Sequence, residues 1–156
     1  MRFAHEYESD AVSVSPDISA RDIADEMDAH AVGAVVVVDD DGRPLGIVTD
    51  RDLTIRVVAT DRDPDKTRAA DVMSTDVLVV DRHTPTIELL QTLEARGVRR
   101  APLVEDGRVT GLVSLDDLVL ELGVQLWNVS EAAGSEIRET RRWASSRRRR
   151  EAREEA

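Results

Sequence analysis

The sequence predicts a mixed α/β (α+β) protein built from two β-α-β-β-α repeats, packed as a pseudo-two-fold pair and followed by a helical tail. Three observations carry this reading. The phrase "GIVTDRDL" at Gly46–Leu53 returns as "GLVSLDDL" at Gly111–Leu118. Apolar runs of strand length alternate with segments of helical spacing. The two halves also superpose along their length with an offset of 66 residues, which drops to 65 after a turn. A periodicity of this kind is the mark of a duplicated unit that buries its core against its copy.

Each element follows from local chemistry. A short extended segment opens each copy, Val12–Val14 and Leu78–Val80. Pro16 in the first copy and Thr84-Pro85 in the second then open a helix. Ile23, Ala24, Met27 and Ala31 in the first copy, and Ile87, Leu90 and Leu93 in the second, recur at helical spacing. "AVVVV" and "APLV" are continuous apolar strands, the composition of a strand covered on both faces. The Asp/Gly turns "DDDG" and "EDG" close a hairpin, and their one-residue difference sits where length changes are tolerated. "LGIVT" and "TGLVS" form the return strand. A helix follows, with Thr49 or Ser114 near its N-cap and Asp52 or Asp117 three residues on. The expected boundaries are 8–62 for the first repeat, 63–72 for a linker, 73–125 for the second repeat and 126–156 for an Arg-rich helical tail.

Composition narrows the function. The chain has 156 residues, net charge −11 and no cysteine, which excludes disulfides, thiolate metal sites and cysteine nucleophiles. Phe3, Tyr7, Trp127 and Trp143 are the only aromatics, too few for base-stacking on single-stranded nucleic acid. The three histidines, His5, His30 and His83, share no metal-ligand spacing. His30 reads as a helix end and His83 as a loop residue. "DDDG" lacks the spaced ligands of a calcium loop and reads as a turn. There is no phosphate-binding Gly-Lys loop, no GxGxxG and no serine elbow, so an enzyme is not expected. The N-terminus is too polar for a signal peptide and no apolar run is long enough to span a bilayer, so a cytoplasmic protein away from the membrane is expected.

Charge is unevenly placed. Residues 138–156 hold 8 Arg against 4 Glu, a balance of +4, which leaves −15 for the rest of the chain. Lys66 is the only lysine. An acidic surface nearly free of lysine suits a salt-accumulating, halophilic archaeon, and a GC-rich genome accounts for the same codon bias. "SSRRRR" in the tail is suited to nucleic-acid phosphates, an acidic partner or the protein's own acidic body, and a solvated helix explains it equally.

Two copies ending in Gly-apolar-apolar-Thr/Ser-x-x-Asp-Leu, joined by "AADVMSTDVLVVD", resemble a tandem pair of cystathionine-beta-synthase (CBS) domains, a Bateman module, over residues 8–125. The resemblance implies a stand-alone regulatory sensor that requires no cofactor. The same resemblance implies an adenosyl effector (AMP, ADP, ATP, NAD or S-adenosylmethionine) bound in clefts between the repeats, and a state that is relayed to an unidentified partner protein. Thr49 with Asp52 mark one candidate site, Ser114 with Asp117 the other. An ionised Asp accepts hydrogen bonds from ribose hydroxyls, and the hydroxyl residue extends a polar arm beside it. The same Thr-x-x-Asp is also a capping box, and the two roles coexist. "GVRRAPLVE" resembles kinase-regulating gamma subunits, in which an Arg at the position of Arg99 meets phosphate; Arg100 stands next to it. The first copy has Gly33 and Ala34 there, so the sites are unequal. Arg51 and Arg56 lie on the helix after the first motif. The family implies a homodimer, for which Leu53, Ile55, Val57, Val58, Leu118, Val119 and Leu122 are the apolar candidates. The alternative function is a nucleic-acid-associated protein that uses the Arg-rich tail and keeps vestigial nucleotide sites.

Overall fold

The computed structural model describes residues 3–7, 9–120 and 122–130. The chain divides into two units, Met1–Asp117 and Leu118–Ala156. The first unit contains two three-stranded sheets. One comprises β1 (Ser13–Val14), β2 (Ala34–Val38) and β3 (Pro44–Thr49); the other comprises β4 (Val80–Asp81), β5 (Arg100–Glu105) and β6 (Arg108–Ser114). In each, the first strand runs parallel and the third antiparallel to the middle one. Helix α1 (Ala20–Ala29) crosses from β1 to β2, and α2 (Asp50–Arg56) follows β3. A short helix α3 (Ala69–Val72) precedes β4, and α4 (Thr86–Arg96) crosses from β4 to β5. Residues 115–120 and 122–130 are helical (α5).

The duplication is present in the hydrogen-bond register. Val14 pairs with Val37, and Val80 with Leu103; Ala34 pairs with Thr49, and Arg100 with Ser114. Both hairpins are irregular at the same place, after Val37 and after Leu103. The turns differ as the one-residue indel requires. Asp106 and Gly107 both have positive φ, the two-residue turn that matches strand twist. The longer first turn is closed by the Asp39 carboxylate, which accepts from the amides of Asp41 (3.0 Å) and Arg43 (2.8 Å).

Helix α1 starts later than Pro16 suggests, whereas α4 starts where Thr84-Pro85 predicts. Ser19 caps α1, accepting from the Asp22 amide, because Pro16 and Asp17 are taken up in a turn. The second helix begins at Thr86, directly after Pro85. Each crossing helix buries an i, i+4 pair, Ile23 with Met27 and Leu89 with Leu93. Ala24 and Ile87 are exposed, so the stripe is narrower than the apolar spacing implied. The middle strands are covered on both faces, as their composition predicts. Val35 and Val37 join Ile23, Met27 and Val48 in the core of the first repeat. On the opposite face, Ala34 and Val36 meet Leu112 of the second repeat's sheet, flanked by Ala11, Val38, Ile47 and Val109.

Two expectations need correction. Residues 63–72 are more than a linker: α3 buries Ala69 and Val72 completely in the first repeat's core. Of the apolar residues assigned to a dimer surface, Val57 belongs to that core and Leu53 packs against it, while Leu118 is buried. The i, i+4 arithmetic that exposes Ile55 turns Leu53 and Val57 inward. Ile55, Val58, Val119 and Leu122 remain exposed. Residues 126–130 continue α5. The expected break at Gly134, Trp143 and the "SSRRRR" stretch lie outside the described residues.

Gly46, the first residue of the repeated phrase, has a packing reason. Met73, just after α3, lies across it; a Cβ at position 46 would stand 2.5 Å from Met73 Sδ and 2.8 Å from its Cγ. Gly46→Ala is therefore expected to lower stability by about 1–3 kcal/mol through overpacking. A denaturant titration that leaves the midpoint unchanged would show that Met73 is not held there.

Candidate functional site

The site begins with the end of β3. The strand delivers Thr49 in extended geometry (φ −111°, ψ 163°), and Asp50 starts α2. Thr49 Oγ1 accepts from the Asp52 amide at 3.2 Å. In return Asp52 Oδ2 accepts from the Thr49 amide (2.9 Å) and from Thr49 Oγ1 (2.7 Å). This is a complete capping box, and it fixes the Asp52 side chain, which is only 16% exposed. Arg56, one turn on, reaches Asp52 Oδ1 at 3.3 Å. Its guanidinium also donates to the Val72 carbonyl (2.6 Å) and Ser74 Oγ (3.0 Å). Two hydrogen-bond donors thus meet Asp52 Oδ2, while Oδ1 faces the Arg56 cation in an ion pair and keeps acceptor capacity among the described residues.

The second wall comes from the segment after α3. Ser74 and Ile47 exchange backbone hydrogen bonds of 2.9 and 3.1 Å, so the chain straps across the outer side of β3 before it reaches β4. The third wall is the loop from α4 to β5. Gly97 ends α4 with φ 62°, and the chain turns through Val98 and Arg99 into Arg100. Together these enclose a cavity of about 540 Å³. Its apolar lining is Ile47, Val77, Leu78 and Val98; its charged rim is Asp50, Arg51, Asp52, Asp76, Arg99, Arg100 and Asp116. A volume of this order suits a small organic ligand with a few convergent polar groups.

Four of the six residues singled out from sequence therefore converge. Thr49 and Asp52 of the first repeat share the cavity with Arg99 and Arg100 of the second. The arginines of one repeat thus serve the motif of the other, a pairing that only the packing of the two sheets decides. Arg99 Nη2 donates to Asp116 Oδ1 at 2.7 Å. Arg96, at the end of α4, pairs with Asp76 at 2.6 Å. Arg100 reaches towards Gly33 of the first repeat: a Cβ on Gly33 would lie 3.6 Å from its Nη2 and 3.5 Å from Asp50 Oδ2.

Ser114 and Asp117 do not line this cavity. They repeat the capping contact at the start of α5: Ser114 Oγ accepts from the Asp117 amide at 3.1 Å and donates to the Asp117 carboxylate. Their strand has the matching strap, for Ser9 and Leu112 exchange backbone bonds of 2.9 and 3.0 Å just as Ser74 and Ile47 do. Sequence reading missed the carboxylates Asp50, Asp76 and Asp116 and the strap residues Ser74, Val77 and Leu78. The internal repeat held the signal for the strap, since Ser9 and Ser74 stand 65 residues apart, the offset of Leu112 from Ile47. Among the described residues no group of His, Asp or Glu is arranged to hold a metal ion, and no helix is long and apolar enough to cross a membrane.

Known proteins share this architecture. The profile of the CBS domain matches residues 5–59 and 69–123. An uncharacterised protein of Methanopyrus kandleri, MK0525, is 37% identical over 111 residues, which is 70% of this chain and 57% of that protein. The chain therefore spans little more than half the length of that relative. The CBS domain-containing protein YhcV of Bacillus subtilis is 34% identical over 125 residues, 80% of this chain and 84% of YhcV. Among solved structures, the CBS domain pair of protein MJ0100, in complex with 5-methylthioadenosine and S-adenosyl-L-methionine, superposes with a TM-score of 0.72 at 20% identity. The match covers 80% of this chain and 98% of that one.

The geometry separates Arg56 from its neighbours. It bonds a backbone carbonyl, a serine and a carboxylate at the seam between α2 and the strap. Arg56→Ala is expected to cost about 1–3 kcal/mol, because a half-buried carbonyl and Asp52 lose a charged donor. Arg51→Ala, on the open side of the same helix, should stay within about 0.5 kcal/mol. Paired urea melts check this; equal losses would remove the bracing role.

Proposed function

The chain belongs to the CBS-domain family, and from that premise we propose that it is a non-catalytic regulatory module that binds an adenosine-containing ligand in the Thr49/Asp52 cavity. The observation that carries this reading is the acceptor capacity kept on Asp52 Oδ1, held beside an apolar slot. A ribose hydroxyl donates to Asp52 Oδ1, a charge-assisted bond. The adenine ring lies between Ile47, Val77, Leu78 and Val98, which offer its faces an apolar sandwich, and the strap backbone is in reach of its polar edge. The 5′ substituent points to the rim where Arg51, Arg99 and Arg100 stand. The adenosyl ligands of the MJ0100 pair, a protein of the same fold, support this choice of ligand class.

The second motif, Ser114 with Asp117, is the frame of a second site of the same kind. Its rim differs, because Gly33 and Ala34 occupy the places of Arg99 and Arg100. Occupancy of either cleft changes how the two repeats are held together, and that change is what a partner protein reads. A second copy of the chain packs on exposed apolar residues such as Ile55 and Val58.

Two measurements test this. In a thermal-shift and calorimetry panel of adenosine, AMP, ADP, ATP, NAD, 5-methylthioadenosine and S-adenosylmethionine, at ordinary and high salt, at least one compound should raise the melting temperature. A ligand at 100-fold over its dissociation constant adds about 2.7 kcal/mol. No shift with any of them at millimolar concentration would remove the proposal. Asp52→Ala should weaken binding by about 1.5–3 kcal/mol, the worth of a hydrogen bond to a charged group. Unchanged affinity with a stability loss near 1 kcal/mol would reduce Asp52 to a helix cap.

A further inference from the structure

The two repeats part company after their second motif. In the first, α2 stops at Arg56 and the chain turns through Asp61, Arg62 and Pro64. At the same offset of 65 the second copy has Leu126, Trp127 and Val129, and it stays helical to residue 130. These residues lie past residue 123, where the match to the CBS profile ends. From Leu118 to Val129 the only charged residue is Glu121, in a chain that is 34% charged. By their spacing Glu121, Gln125 and Asn128 share one narrow stripe, so most of the circumference is apolar. A helix of that composition needs a cover. Yet Leu120, Leu126, Trp127 and Val129 are each about 70% exposed.

One face of α5 says what the cover is. Val119, Leu120, Gly123, Val124 and Trp127 line a hollow of about 440 Å³ on the helix surface. Its floor is Gly123, and nothing stands within 4 Å of where a Cβ would be. Glycine inside a helix is unfavourable relative to alanine, so the gap comes at the expense of the helix itself. Trp127, one turn on, is the largest projection on the same face. The two lie about 6 Å apart along the axis and within about 40° around it. A hole and a knob on one face, one turn apart, are self-complementary under a two-fold axis at the level of Gln125. That axis sets each Trp127 over Gly123 of a second copy, and the glycine lets the helices close to the usual 8–10 Å or so. A parallel pair would instead set tryptophan against tryptophan and wedge the helices apart. The near absence of charge fits a second copy too, since elsewhere the acidic body repels its like.

We infer that α5 joins two copies of the chain as an antiparallel pair, with each Trp127 seated in the hollow at Gly123 of the other copy. This contact is separate from the one at Ile55 and Val58 and does not rest on the adenosyl reading. Trp127 is its anchor, because a large aromatic side chain in a matching hollow carries most of the energy of such a contact.

The test is sedimentation equilibrium of the full chain over a range of concentrations, at ordinary and molar salt, with Trp127 emission read in a Trp143→Phe background. Wild type should associate, and Trp127 emission should move to longer wavelength on dilution as the ring meets water. Trp127→Ala should weaken association by at least about 30-fold, the scale of an interface hot spot. Gly123→Leu should do the same by filling the hollow, while leucine's better helix propensity keeps far-UV helicity. The exchange Gly123→Trp with Trp127→Gly restores knob over hole under the same two-fold axis, so association should recover. Ile55→Asp should leave the Trp127 response as in wild type. A single-chain mass at every concentration overturns the inference. So does association that Gly123→Leu leaves untouched, an exchange variant as weak as the single variants, or a Trp127 response that Ile55→Asp abolishes.

Discussion

Ala34 and Val36 on one face of β2 meet Leu112 of β6 across the two repeats, and the cavity exists because of this contact. The other face of β2 supplies Val35 and Val37 to the first repeat's own core. One five-residue strand therefore belongs to two cores at once. Full burial of a Val or Leu contributes about 1.5–3 kcal/mol, so a seam of this size is modest but sufficient to set the register between the sheets. Small residues at the seam let the sheets approach closely. That approach brings the α4–β5 loop of one repeat to the end of β3 in the other.

The residues that build the candidate site are also the residues that hold it. Thr49 and Asp52 satisfy each other's backbone amides at the start of α2, which leaves that short helix little freedom. Arg56 then ties α2 to the Val72 carbonyl and to Ser74. Met73 is pressed on Gly46, and Ser74 is paired to Ile47. Each tie is weak; together they place an apolar strap over the return strand. A ligand seated between strap and strand meets a preorganised wall, so less ordering free energy opposes binding.

Charge around the cavity is arranged as pairs. Arg99 with Asp116 and Arg96 with Asp76 each join a second-repeat arginine to an aspartate, and Arg56 with Asp52 does so within α2. In a chain with net charge −11 such pairs offset repulsion between neighbouring carboxylates. They also leave the local field at the rim dependent on which arginines are already committed. A count of arginines in the sequence cannot report that.

Much of this was legible in one dimension. The repeated phrase, the two apolar middle strands, the Asp/Gly turns and the Thr-x-x-Asp caps are local features, set by side-chain size, backbone preference and hydrogen bonds over three or four residues. They determined the element order, the duplication and two of the residues at the cavity. The start of α1 was displaced because Ser19, not Pro16, caps it, and α3 was hidden in a supposed linker because its four residues are too short to show a period. What tertiary structure alone decided was partnership. Arg99 and Arg100 are 50 and 48 residues from Thr49 and Asp52 respectively in the chain, and only the seam between the sheets places them on one rim. Which arginine is spent on an aspartate depends on distances of a few ångströms between side chains, and no local rule of sequence fixes those.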